Sequence, residues 1–203
     1  MGYRNLPSYI KRIMTGVRAF TTKTVTEADL LNGKNFFCRA VWPLANEISA
    51  GSTVNLVITT GALPIRARNR IVGFIGEEVR FELFSDPTYT DGAVITPRNY
   101  NPSGPTSTVT FIKDPTIEVG DEGTPIDPNF DNNGTPENIE PEYYFGGSAT
   151  GQRVGNSIPQ GTERIIPPNT TFLIRITNTG SGNARFGYYL EWAEGILELP
   201  EVI

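Results

Sequence analysis

Candidate chemistry in this sequence rests on acidic side chains, because the 203-residue chain has no histidine and one cysteine. Imidazole is the side chain that titrates near neutral pH, and Ser-His or Cys-His catalysis depends on it. Its absence excludes those mechanisms and argues against a zinc site. Glu77, Glu78 and Glu82 could supply a glycosidase-like carboxylate pair, but nothing places two of them across a cleft. We therefore expect no catalytic residues, no cofactor and no enzymatic activity.

A second candidate site is a run of alternating oxygen-bearing side chains. The run consists of Asp127, Asn129, Asp131 and Asn133. Its spacing is similar to the start of a helix-loop-helix calcium site. The glutamate that such a site needs at its twelfth position is replaced by Asn138, and no flanking helix is predicted. We interpret the run as part of a solvated acidic loop and expect no metal.

That loop is predicted to occupy residues 114–152. Nine acidic residues and five prolines lie within 114–142, and the whole loop contains no Lys or Arg. Such a segment has too few apolar groups to offset its chain entropy. Near its end the loop carries three consecutive aromatic residues, Tyr143, Tyr144 and Phe145. They could bind a partner protein or a sugar, or they could anchor the loop to the domain.

Residues 1–26 are distinguished by charge and are interpreted as an extended basic arm. Five basic residues precede the first acidic residue, whereas the rest of the chain contains twelve Lys and Arg and 22 Asp and Glu. A short apolar face in the arm is too small to form an isolated helix, so docking would order it. We predict that the arm binds an acidic protein surface, because charge steers such encounters. The residues assigned to this contact are Arg4, Tyr9, Ile10, Lys11, Arg12, Ile13 and Arg18.

Residues 27–203 show the period-two alternation of β-strands, bounded by Gly, Pro and Asn. Short runs of this kind are typical of an antiparallel sandwich or barrel. We predict one all-β domain, an antiparallel β-sandwich of about eight strands. The positions expected to face inward are Leu56, Ile58, Phe81, Leu83, Phe172, Ile174, Phe186, Tyr188 and Leu190. Cys38 lies in an apolar run and is predicted to be a small buried hydrophobe.

Three arginines at period two, Arg66, Arg68 and Arg70, would share one face of a strand and form a basic stripe. The acidic body and the lack of a recognisable nucleic-acid module do not favour nucleic acid as the partner. A salt-bridged surface or a subunit contact is the favoured interpretation. No stretch approaches the roughly 20 apolar residues of a membrane span, and the amino terminus lacks an apolar signal core. We therefore expect no membrane partner and assembly in the cytoplasm.

Two blocks of the sequence carry distinctive motifs. The first block consists of segments 54–61, 78–87, 91–92 and 97–101, and the second consists of segments 166–178 and 189–192. Together they resemble a group of tailed-bacteriophage virion proteins. In that group five motifs recur in the same order: a strand that contains TG, a strand that contains ELF, a DG turn, an RN-N loop and a late strand that begins with PNT. The resemblance covers roughly residues 53–193, and the late block is its most specific part.

The resemblance implies a jelly-roll-like β-sandwich that acts as a capsid decoration (cement) protein. Such a protein binds the capsid exterior and braces neighbouring capsomers, so its expected partners are the major capsid protein and itself. It also implies a homotrimer, a location on the virion surface after assembly in the host cytoplasm, and no catalytic residues. The apolar segment 196–203 could pair with a neighbour and hide a strand edge. Two alternatives stay open, a tail or fibre-base adaptor and a carbohydrate-binding sandwich that contacts the host surface.

Overall fold

The computed structural model describes residues 32–127, 142–144, 153–155 and 164–195. These residues form two antiparallel sheets that pack face to face as a sandwich, which confirms the predicted all-β class. The strands are β1 (Asn35–Trp42), β2 (Thr53–Thr59), β3 (Ile65–Gly76), β4 (Val79–Ser85), β5 (Ala93–Ile95), β6 (Arg98–Asn99), β7 (Thr110–Lys113), β8 (Thr124–Ile126), β9 (Glu142–Tyr144), β10 (Arg153–Gly155), β11 (Arg164–Ile166), β12 (Thr171–Asn178) and β13 (Ala184–Glu194). A short 3-10 helix, Leu44–Asn46, follows β1.

Sheet A has the order β10-β3-β13-β1-β6, with β11 also paired to β3. Sheet B has the order β5-β7-β2-β12-β4-β8, with β9 also paired to β4. The thirteen described strands exceed the predicted eight because several are only two or three residues long. Strands of that length are too short to produce a recognisable alternation in the sequence. The two strands nearest the carboxyl end, β12 and β13, lie in the interior of sheets B and A respectively.

The core between the sheets is formed by one face of each. All nine positions predicted to face inward belong to it, which confirms the alternation as the source of the strand register. Its largest side chains include Phe36, Phe111 and Trp192. The rings of Phe36 and Phe111 stack on the indole of Trp192, with centroid distances of 6.0 Å and 5.5 Å respectively. Cys38 is buried, as predicted, and burial raises the pKa of its thiol to about 12. Removal of these side chains from water supplies the main driving force for folding.

A second, smaller apolar cluster lies on the opposite face of sheet B. Val57, Phe84 and Leu173 alternate with the core residues, so the period-two pattern alone would place them in solvent. They are buried because Tyr89 and Ile117, from the long connection between β4 and β8, pack across them. The outer face of sheet B is therefore partly covered by the protein's own chain.

The prediction that Arg66, Arg68 and Arg70 form a basic stripe on one face of β3 is wrong. The pairing of β3 with β13 shifts between Glu191 and Trp192, and this β-bulge breaks the alternation within the three arginines. Arg70 points into the sandwich, where its guanidinium lies 5.5 Å from the centre of the Phe81 ring. Arg68 is buried as well and donates a 2.6 Å hydrogen bond to Asn35 Oδ1. Both arginines therefore act inside the fold rather than as a surface charge.

Candidate binding surface

The outer face of sheet A carries a cluster of three aromatic side chains. Phe36 and Trp192 are paired and buried in the core, so their neighbours on β1 and β13 point to the opposite face. This places Phe37 and Tyr189 on the outer face of the sheet. Tyr100 lies beside them because it directly follows β6, the strand that pairs with β1. We call these three residues the aromatic cluster.

The aromatic cluster is held together by ring contacts and one hydrogen bond. The ring of Phe37 lies 4.9 Å from that of Tyr100 and 6.1 Å from that of Tyr189, measured between centroids. The hydroxyl oxygens of the two tyrosines are 2.6 Å apart and share a hydrogen bond. Burial raises the pKa of both hydroxyls above the ordinary value of 10, so both remain neutral at physiological pH. Tyr100 is still 40% exposed, which leaves part of its ring available for contact.

Two arginines lie beside the aromatic cluster on the same face. Arg39 is directly opposite Tyr189 in the sheet, and Arg98 is directly opposite Phe37. Both side chains are exposed, and neither forms an ion pair with another residue in the described part of the chain. A guanidinium can stack on an aromatic ring and bind a carboxylate through two hydrogen bonds. The face is therefore suited to a partner that presents acidic and apolar groups together.

A groove of about 340 Å³ continues this face along β1 and β13. Its floor is formed by Gly73 and Gly187, which are directly opposite each other in β3 and β13. Val41 and Ile75 provide apolar walls, and the half-exposed Arg185 lies at one end. Arg185 is bound to Glu47 at 2.7 Å, and this contact lowers the pKa of the carboxyl group.

Neither glycine is required by the backbone at its position. A Cβ added at Gly73 would meet nothing within 4 Å, and one added at Gly187 would make ordinary contacts of 3.6 Å with Val41 and 3.9 Å with the carbonyl oxygen of Gly73. Glycine inside a strand costs roughly 0.5–1 kcal/mol relative to alanine, and it often marks a close approach by a ligand or another chain. The two glycines keep the groove open at a cost to the stability of the strand.

The segment that carries Tyr100 is fixed by hydrogen bonds at both of its ends. Glu194, at the end of β13, accepts hydrogen bonds from Ser107 Oγ and from both the backbone nitrogen and the hydroxyl of Thr108. It also accepts a 3.2 Å bond from Trp192 Nε1. At the other end of the segment, Asn99 donates to the carbonyl oxygens of Gly33 and Pro105. Glu194 and Asn99 thus position the segment that brings Tyr100 into the aromatic cluster.

Residues of the two sequence blocks meet at one end of the sandwich. Thr60 Oγ1 donates to the carbonyl oxygen of Pro167 at 2.8 Å and accepts a hydrogen bond of the same length from the backbone nitrogen of Thr170. The backbone nitrogen of Asn169 donates to the carbonyl oxygen of Gly61 at 2.9 Å. The TG and PNT motifs therefore bind each other, and their visible role is to join β2 to the turn before β12.

The predicted site residues fall largely outside the described residues. This is the case for every arm residue, namely Arg4, Tyr9, Ile10, Lys11, Arg12, Ile13 and Arg18, and for Phe145. The backbones of Tyr143 and Tyr144 lie in β9 and pair with Arg80 and Val79 of β4. Of the candidate calcium ligands, Asp127 is described, whereas Asn129, Asp131 and Asn133 are not. The arm and loop contacts therefore stay predictions.

No group of three or more His, Cys, Asp or Glu side chains in the described ranges is arranged to hold a metal ion. Among those residues no helix is both long and apolar enough to cross a membrane. A cavity between the sheets, beside Arg70 and Phe81, measures about 20 Å³, which is room for about one water molecule.

Comparison with known protein families, curated proteins and solved structures finds no match to this chain. The structure therefore defines the class, a two-sheet antiparallel β-sandwich, through its own geometry. The aromatic cluster and the groove were missed in the sequence because they depend on which strands become neighbours. One local signal was present. Gly73 and Gly187 each interrupt a strand between two core residues, a position where glycine is unusual unless something approaches closely.

Proposed function

We propose that this chain is a structural protein of a tailed-phage virion, of the capsid decoration (cement) type. In this role it binds the capsid exterior, braces neighbouring capsomers and has the major capsid protein and further copies of itself as partners, as a homotrimer. It is assembled in the host cytoplasm and becomes part of the capsid surface. The observation that carries the proposal is the convergence of the two resembling blocks, whose strands β2, β12 and β4 are consecutive neighbours in sheet B.

The strand order supports a jelly-roll arrangement. The chain has eight principal strand positions, which are occupied in order by β1, β2, β3, β4, β8 with β9, β10 with β11, β12 and β13. Successive positions alternate between sheet A and sheet B, except that β8 and β9 lie in the same sheet as β4. The strand order is β1-β13-β3-β10 in sheet A and β2-β12-β4-β8 in sheet B. Two four-stranded sheets of this kind are the pattern of a jelly roll. The remaining strands, β5, β6 and β7, extend the two sheets beyond β2 and β1.

The outer face of sheet A supports a binding role. Sheet B is partly covered by its own connection, whereas sheet A presents the aromatic cluster, the groove and two exposed arginines. Aromatic residues and arginine are enriched in protein interfaces. We assign the capsid contact to the part of this face around Tyr100 and Arg98.

Cryo-electron microscopy of the particle that contains this chain tests the proposal. We expect density for the sandwich on the outside of the head, in a fixed ratio to the major capsid protein. A matched pair of variants tests the contact: Arg98→Glu should lose binding to undecorated heads, whereas Glu118→Lys, exposed at a distance from the face, should retain it. Density on the tail, or the absence of the chain from the particle, would overturn the decoration role.

A carbohydrate-binding role is the second candidate, and the aromatic cluster is the observation that favours it. Partly exposed tyrosine rings beside arginine side chains can stack on a sugar and hydrogen-bond to its hydroxyls. A glycan array probed with the full chain and with Tyr100→Ala separates the two roles. Binding of a glycan that is lost in Tyr100→Ala, without binding to heads, would replace the first proposal with this one.

A further inference from the structure

The groove on sheet A has room and charge for a specific kind of segment. Its open floor at Gly73 and Gly187 admits a large apolar side chain, and the next row of the same face holds the exposed Arg39 opposite Tyr189. Neighbouring rows on one face of a sheet are about 7 Å apart, because side chains on the same side of a strand are two residues apart. A segment that fits must therefore place an apolar residue and an acidic residue two positions apart.

The carboxyl-terminal segment 196–203 has this pattern. Its sequence is Ile-Leu-Glu-Leu-Pro-Glu-Val-Ile, with two acidic residues and no basic residue. In an extended conformation Leu197, Leu199 and Glu201 point to the same side. When Leu199 lies over the two glycines, Glu201 is brought to Arg39, and Leu197 is brought to the other end of the groove. Pro200 lacks the N–H that strand pairing needs, so contact through side chains on a face suits the segment better than addition to an edge.

The segment cannot reach the groove of its own chain in this register. β13 runs from the groove at Gly187 to its end beside Gly195, a distance of about 27 Å at the usual strand rise. Leu199 follows Gly195 by only four residues, which span at most about 14 Å. The segment that fills the groove must therefore belong to a second molecule.

We propose that the groove at Gly73 and Gly187 binds segment 196–203 of a second copy of this chain, with Leu199 over the glycines and Glu201 paired with Arg39. The contact uses β1, β3 and β13 of one copy and the residues after β13 of the next. It is distinct from the capsid contact around Arg98, and it forms whether or not the protein binds a capsid.

Chemical cross-linking of the full chain tests this contact directly. Packed layers lie about 10 Å apart, so a bis-maleimide of that length joins cysteines placed on the two sides. The test variant is Val41→Cys with Leu199→Cys, and the control is Val94→Cys with Leu199→Cys. Val94 is 71% exposed on sheet B, and the native Cys38 is buried away from the reagent. We expect at least about tenfold more product between chains for the test variant than for the control, because docking raises the local concentration.

Two further outcomes of this experiment would overturn the proposal. Equal cross-linking in the test and control variants means that the groove is not the docking site. Cross-linking within one chain, seen as a monomer that carries a single reagent molecule and has lost both introduced thiols, means that the segment folds back on its own molecule.

Substitutions in the full chain provide an independent measurement by light scattering over a concentration series. Gly187→Leu fills the groove and is expected to weaken self-association at least about tenfold, as steric exclusion of a partner does. Arg39→Glu, on an exposed side chain, is expected to weaken it similarly, and Arg39→Glu combined with Glu201→Arg is expected to restore it. Self-association that is unchanged in Arg39→Glu, or no recovery in the charge-swapped pair, would refute the assignment of these two residues.

Discussion

Removal of the Glu194 carboxylate should destabilise the protein far more than removal of an exposed acid. Glu194 is 5% exposed and accepts hydrogen bonds from Thr108, Ser107 and Trp192. In Glu194→Ala the backbone N–H of Thr108 and the indole N–H of Trp192 lose their acceptor inside the protein. Each buried donor left without a partner costs about 1–3 kcal/mol. The relief from burying one charge fewer offsets part of this cost. Water can replace the acceptor of the exposed Thr108, whereas the indole N–H of Trp192 is buried, so we expect a net loss of about 1–3 kcal/mol.

That loss is readily measurable against the 5–15 kcal/mol by which domains are usually stable. Urea unfolding followed by tryptophan fluorescence measures it, since one of the two tryptophans, Trp192, lies at the site. Glu194→Gln retains one acceptor oxygen and should lose about half as much. Glu118→Ala, on an exposed loop, serves as the control and should change stability by less than about 0.5 kcal/mol. If Glu194→Ala is as stable as Glu118→Ala, the hydrogen bonds to Ser107 and Thr108 do not hold the segment that carries Tyr100.

Three further predictions concern other parts of the sandwich. Cys38 should resist iodoacetamide at pH 8 in the folded protein and react once urea unfolds it, because its thiol is buried and its pKa is raised to about 12; rapid labelling of the native protein would contradict this. Glu47→Gln should lower the urea midpoint more at pH 7 than at pH 3. Arg185 holds the pKa of Glu47 below its ordinary value of 4.5, so the stabilisation is present above that value and is lost as the pH falls through the lowered pKa; an equal difference at both pH values would contradict this. Gly73→Ala should raise the free energy of unfolding by about 0.5–1 kcal/mol, since its Cβ meets no neighbour; a decrease in the urea midpoint would contradict this.

Alternation in the sequence correctly placed all nine residues that were predicted to face inward. Phe81 and Leu83, for example, are buried because a strand with one apolar face has only one way to bury it. Alternation failed for Val57 and Leu173, because a distant connection covers the other face of their sheet. It failed for Arg68 because a bulge depends on the partner strand.

The candidate surface was less predictable than the core for the same physical reason. Phe37 and Tyr189 are far apart in the sequence and become neighbours only when β1 pairs with β13. Tyr100 reaches them through a two-residue strand, and its position depends on hydrogen bonds from Asn99. Such contacts follow from register and loop geometry, which residue types alone do not specify.

The interior positions of β12 and β13 have a consequence for biosynthesis. Sheet B needs β12 to connect β2 with β4, and sheet A needs β13 to connect β1 with β3. Both strands leave the ribosome after all the partners they join, so neither sheet can close while the chain is still short. Until then the nascent polypeptide exposes unpaired strand edges, which are prone to association with other chains. The sandwich is therefore expected to form only after β13 has left the ribosome, and to depend on protection from neighbours until then.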